Sequence, residues 1–153
     1  MEEMVLFVNC VIISMKIMKV NYNFDNKIVV VTGAAGQLGS ALCKRFLLSN
    51  AKVVGVDIQE IKFTSDQDNF LFLKADVTNK SQIEGALHSI KNTYNDTPSI
   101  LINNAAIDSP PGGTSKDNPS PESFPTKEWN KILDVNLTGS LVPSQVFGAE
   151  MAN

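Results

Sequence analysis

The most restrictive stretch of this chain is Lys27–Thr32, KIVVVT, which runs without a break into Thr32-Gly33-Ala34-Ala35-Gly36-Gln37-Leu38-Gly39. A continuous β-branched run is what a strand buried on both faces of a parallel sheet requires. Directly after the glycines, Gln37–Ser49 carries Leu38, Leu42, Phe46 and Leu47 at helical spacing. A buried strand, a small-residue turn and a helix in immediate succession commit the chain to βα architecture, in which helices cover the faces of a parallel sheet.

The pattern repeats downstream. Lys52–Val56 and Asn69–Lys74 read as the second and third strands, and Pro98–Asn103 as the fourth. Asn79–Tyr94 places Ile83, Leu87, Ile90 and Tyr94 on one helical stripe, with Thr78 or Asn79 available as its cap. Thr126–Ala152 reads as one long helix that Pro143 should kink or break. Within it, Trp129, Ile132 and Leu133 read as core packing. The stretch 107–125 holds five of the seven prolines and reads as a loop, one that could close over a ligand or simply cover the surface. The fold class is therefore α/β, a Rossmann-like doubly wound parallel sheet, partial, with four strands and flanking helices.

The N-terminus does not belong to this pattern. Residues 1–25 read as an extension of doubtful structure, and 26–153 as one incomplete α/β domain. The run Met4–Met18 is too short and too interrupted to span a bilayer, and it lacks the basic start of a signal peptide. An extra strand, a weak membrane anchor and an upstream in-frame extension ahead of Met15 or Met18 compete for it. The last is favoured, because the domain pattern begins only near Asn26.

The glycine turn carries a chemical reading. Gly33 can take a positive φ, Gly36 lets the backbone approach a pyrophosphate, and Gly39 lets the helix pack close to the strand. Ala35, Gln37 and Leu38 lie between them, where the helix N-terminus offers free N–H groups to phosphate oxygens. Asp57 stands eighteen residues past Gly39, with Ile58 beside it. That is where a dinucleotide-binding unit places the carboxylate that accepts from the adenosine ribose. A carboxylate repels a 2′-phosphate, and no Arg or Lys lies in the loop or directly after Asp57, so NAD is favoured over NADP.

Composition narrows the partners. Sixteen acidic against thirteen basic residues give no field for nucleic acid. Two cysteines, Cys10 and Cys43, have neither zinc-site spacing nor the density of a disulfide scaffold, so a reducing, cytoplasmic setting is expected. No membrane partner is expected. One histidine and no G-x-S-x-G elbow leave little for hydrolase chemistry.

Three further motifs follow in order: Ala75-Asp76-Val77-Thr78, Asn103-Asn104-Ala105-Ala106 and Asp134-Val135-Asn136-Leu137-Thr138-Gly139. Taken singly, Asp76 could be a helix cap, the paired Asn turn chemistry and Asn136 a solvated helix residue. Together with the glycine loop, they resemble the short-chain dehydrogenase/reductase family, classical type, over about Asn26 to Asn153. The resemblance implies that Asp76 and Val77 border the adenine. It implies that Asn103, Asn104 and Ala105 line the cofactor channel and steady the central strand. It makes Asn136 the catalytic Asn, whose carbonyl holds a water in a proton relay. It implies hydride transfer between nicotinamide and a small-molecule carbonyl or alcohol, and a homo-oligomer for the full-length protein.

Two departures qualify this. The glycine spacing is TGxxGxxG, with Gln37 where classical members have glycine, which keeps an extended, nucleotide-sugar-modifying alternative open. The family's Ser and its Tyr-x-x-x-Lys are also missing. Tyr22 is followed four residues later by Asn26, and Tyr94 by Pro98. The sequence thus reads as the N-terminal portion of such an enzyme, with no turnover expected of these 153 residues alone, or as a non-catalytic NAD-binding module.

Overall fold

A computed structural model describes residues 4–8, 11–15, 22–61, 69–108 and 121–152. Strands β1 (Met4–Val8) and β2 (Val11–Met15) pair antiparallel as a two-stranded sheet of their own, Met4 opposite Met15 and Val8 opposite Val11. The extra-strand alternative thus becomes a pair of strands, and neither joins the main sheet.

The main sheet is parallel. It contains β3 (Ile28–Thr32), β4 (Lys52–Asp57), β5 (Phe70–Lys74) and β6 (Ile100–Ile102), in the order β5-β4-β3-β6. Every residue of β3 is buried, as its unbroken apolar run requires of a central strand. Its alternate side chains feed two cores. Ile28 and Val30 face Ile83, Ile90, Val142, Val146 and Phe147, from α2 (Lys80–Tyr94) and α4 (Gly139–Met151). Val29 and Val31 face Cys43 and Leu47 of α1 (Gln37–Leu47). Each such Val, Ile or Leu contributes about 1.5–3 kcal/mol when fully buried. Asn79, rather than Thr78, caps α2, its side chain accepting from the Gln82 N–H, and Asn95 ends the helix in the left-handed region. No helix among the described residues is long and apolar enough to cross a membrane.

The last helical stretch departs from expectation in three ways. It is divided, but not at Pro143, which sits inside α4 with Gly139 one turn before it. The division is a π-helical turn at Asp134–Thr138, between α3 (Thr126–Leu133) and α4, where the Gly139 N–H reaches back five residues to the Asp134 carbonyl. α3 buries none of its residues, so Trp129 and Leu133 are not core. With Leu137 and Leu141, at four-residue spacing, they form an exposed apolar stripe on the side away from Val142, Val146 and Phe147. The stretch 107–125 lies mostly outside the described residues. Its end, Pro121–Ser123, forms one 3-10 turn.

Leu38 also leaves its expected place. The buried side of α1 runs through Gly39, Cys43 and Leu47, and Leu38 is exposed beside the glycine turn.

Candidate functional site

Because the four strands are parallel, their carboxyl ends lie along one rim of the sheet. The glycine turn, Asp57, Asp76 and Asn103–Ala105 fall on that rim, and Asn136 on the helical turn packed beside it. Open parallel sheets bind ligands along such rims.

The glycine turn follows β3. Gly33 has φ +66°, and a Cβ there would stand 2.7 Å from the Ala105 Cα, so both conformation and space demand glycine. A Cβ on Gly39 would lie 2.1 Å from the Gly33 carbonyl oxygen, which lets α1 press directly on the turn. Gly36 is the N-cap of α1 and supplies no side-chain cap. The first-turn N–H groups of α1 are thus left to solvent or a ligand, with Gly36, Gln37 and Leu38 exposed around them. An uncapped helix start with a bare backbone approach fits a pyrophosphate.

Asp57 closes the turn from the neighbouring strand. Its Oδ2 accepts the Ala35 N–H at 2.9 Å and its Oδ1 accepts the Gln59 N–H at 2.9 Å. A carboxylate has about four acceptor sites, so two remain at this half-buried position. Ile58 follows it, well exposed. At the end of β5, Asp76 is not the cap of α2. Its Oδ1 accepts both the N–H and the hydroxyl of Thr78, at 2.9 and 2.8 Å, while its own N–H donates to Gln82 Oε1 at 2.8 Å. Val77 is buried against Gly139, where an added Cβ would meet Val77 Cγ2 at 2.6 Å.

β6 is stitched to β3 by a residue that the sequence reading passed over. The buried Thr32 hydroxyl accepts the N–H groups of Asn104 and Ala105, both at 3.0 Å, and donates to the Ile102 carbonyl at 3.3 Å. One donor and two lone pairs are all a hydroxyl has. The signal was a lone hydroxyl residue ending an otherwise aliphatic buried strand. Asn104 commits its amide to the turn, donating to the carbonyls of Thr32 at 2.9 Å and Gly33 at 3.3 Å. Asn103 donates instead to Ser144 Oγ of α4, at 2.9 Å.

Asn136 lies within the π-helical turn, a feature often found at functional positions. Its side chain pairs with Ile107, and its backbone carbonyl accepts the Ser140 hydroxyl at 3.0 Å. Neither tyrosine joins this group. Tyr22 is exposed and stacks near Phe24. Tyr94 ends α2 with its ring 5.3 Å from Lys52 Nζ, at the opposite, amino end of the sheet.

A family model described as short chain dehydrogenase matches residues 27–153. An NAD-dependent glycerol dehydrogenase of Listeria innocua is 35% identical over 135 residues, which is 86% of this chain and 50% of that protein. Among solved structures, the ligand-free aldohexose dehydrogenase of Thermoplasma acidophilum has a TM-score of 0.70 at 31% identity, covering 83% of this chain and 45% of that one. A short chain dehydrogenase of Leptospira borgpetersenii with bound NAD+ has a TM-score of 0.64 at 30% identity, covering 82% and 46%. The chain spans about half the length of the curated relatives it matches. These likenesses do not favour the nucleotide-sugar alternative raised by the glycine spacing.

Proposed function

This chain belongs to the short chain dehydrogenase family, and on that premise we propose that it is the dinucleotide-binding portion of an NAD-dependent oxidoreductase. The observation that carries the reading is the Asp57 carboxylate. It holds the glycine turn through the Ala35 N–H and keeps two acceptor sites for a ribose diol. The same carboxylate disfavours a 2′-phosphate, which supports NAD over NADP.

The site assignments follow from position. Gly33, Ala35, Gly36, Gln37, Leu38 and Gly39 form the pyrophosphate turn, Asp57 and Ile58 flank the adenosine ribose, and Asp76 and Val77 border the adenine. Asn103, Asn104 and Ala105 line the channel toward the nicotinamide, and Asn136 sits at its far end. When bound, the nicotinamide supplies or accepts the hydride exchanged with a small carbonyl or alcohol. The residues of this chain bind and orient. Neither Tyr22 nor Tyr94 is near enough to move a proton there, so we assign turnover to the full-length protein. We divide the chain into an extension, 1–25, and the nucleotide-binding unit, 26–153. A homo-oligomer for the full-length protein rests on the family likeness alone. Two cysteines, without the density of a disulfide scaffold, support a cytoplasmic setting.

Titration of NADH and NADPH into the chain, followed by nicotinamide fluorescence, tests the reading. NADH binding that is at least about tenfold tighter than NADPH binding, and that loses this preference in D57A, is the expected result. Equal binding of both would overturn the NAD assignment, and binding of neither would overturn the reading.

A further inference from the structure

Ser144 has a hydroxyl with two neighbours. It donates to the Ser140 carbonyl at 2.7 Å and receives Asn103 Nδ2 at 2.9 Å. A hydroxyl carries one proton. The short bond to Ser140 uses it, so Ser144 can meet Asn103 only as an acceptor. That decides which end of the Asn103 amide faces the helix: the NH2 group does, and Oδ1 is held on the other side. Asn103 is then a fixed acceptor at the end of β6, next to the Asn104–Ala105 stitch to Thr32. The pattern repeats one turn earlier, where the Ser140 hydroxyl donates to the Asn136 carbonyl at 3.0 Å. Positions 136, 140 and 144 thus form one polar line along the helix, running from the π-helical turn to Asn103.

We propose that Ser144 is a positioning residue: it sets the polarity of the Asn103 amide so that Oδ1 accepts from a ribose hydroxyl of the bound dinucleotide. The ligand half of this proposal rests on the nucleotide-binding reading above. Asn103 and Ser144 are both exposed, so the bond between them competes with water and contributes little to the fold. What it controls is orientation. Without the Ser144 hydroxyl the amide is free to flip, so an acceptor is no longer held ready for the ribose hydroxyl and binding must first fix its orientation.

The experiment uses the full chain, labelled with nitrogen-15, and the variants S144A, S144T, N103D and S144A/N103D. The first readout is the Asn103 side-chain amide pair, identified by its loss in N103D. In the parent chain one of the two protons is shifted downfield; S144A abolishes this shift and S144T restores it. The second readout is NADH affinity, which falls about three- to tenfold in S144A, the equivalent of one hydrogen bond, and recovers in S144T. In the N103D background S144A has no further effect, because a carboxylate is an acceptor at both ends. Melting temperatures of S144A and the parent chain coincide. An amide pair indifferent to S144A overturns the proposal. A lost amide signature with unchanged NADH affinity overturns its ligand half. A parent chain that shows the amide signature but binds no NADH overturns the nucleotide reading and the ligand half with it, and leaves the orienting role of Ser144 established.

Discussion

The side chain of Asn136 pairs with both backbone groups of Ile107: the Ile107 N–H donates to Oδ1 at 2.8 Å, and Nδ2 donates to the Ile107 carbonyl at 3.0 Å. An amide used this way stands in for a neighbouring strand. It fixes the chain where it leaves the Asn103–Ala106 segment and ties that point to the π-helical turn.

Two variants separate the two bonds. N136A removes both, and should lower unfolding stability by about 1 kcal/mol, the usual net worth of such a contact. N136D keeps an acceptor for the Ile107 N–H but sets a carboxylate oxygen against the Ile107 carbonyl. Hydrogen exchange at the Ile107 amide should therefore accelerate in N136A and stay slow in N136D. Equal protection in N136A and the parent chain would show that the pairing does not hold Ile107.

The glycines of the turn predict a split between stability and binding. A methyl group at Gly39 meets the Gly33 carbonyl at 2.1 Å, so G39A must push α1 off the turn, at a cost of about 1–3 kcal/mol or more. A methyl group at Gly36 meets its nearest atom at 3.3 Å, on a backbone with φ −71° that any residue adopts. G36A should therefore unfold within about 1 kcal/mol of the parent chain while weakening NADH binding, because the methyl group stands where a pyrophosphate would approach. Urea midpoints and NADH titrations on the two variants check this. A G36A chain as destabilised as G39A would contradict it.

The main sheet was legible because its signal is local. Five successive apolar or β-branched residues with no polar alternation admit only a central strand. The glycine turn and Asp57 were legible because their spacing is itself the geometry. Three features were not. The π-helical turn, Asp134 to Thr138, has no local sequence pattern that sets it apart from the helices on either side. Trp129 and Leu133 carry a helical apolar period, but a period says which residues share a face, not whether anything covers that face. Thr32 and Ser144 act through partners 70 or more and 41 residues away, respectively, which no local pattern reveals.

Thr32 yields a further prediction of its own. T32V keeps the β-branched shape but leaves the N–H groups of Asn104 and Ala105 without their acceptor, and each such loss costs about 1–3 kcal/mol where water is excluded. T32S keeps the hydroxyl and loses only a methyl group, for about 1 kcal/mol. Urea unfolding should rank parent, T32S and T32V in falling order. T32V matching T32S would mean that the stitch between β3 and β6 contributes nothing to stability.

Cys43 gives the pH dependence. It is fully buried against Val29 and Val31, and desolvation raises its thiol from 9.0 to about 11. A raised folded-state pKa means that the native chain holds its proton more tightly than the unfolded one. The stability this represents is complete below about pH 8.5, the unfolded thiol's range, and is lost as pH climbs toward 11. Tyr94, also raised by burial, acts in the same direction once pH passes the ordinary tyrosine range near 10. Urea midpoints should fall between pH 8.5 and 11 by the equivalent of about 2 kcal/mol, and C43A should flatten the thiol's part of that slope. At pH 8 iodoacetamide should leave Cys43 unmodified in the native chain and label it fully in urea, as mapped by peptide mass. Rapid native labelling of Cys43, or a slope unchanged by C43A, would show that the thiol is not shielded between the sheet and α1.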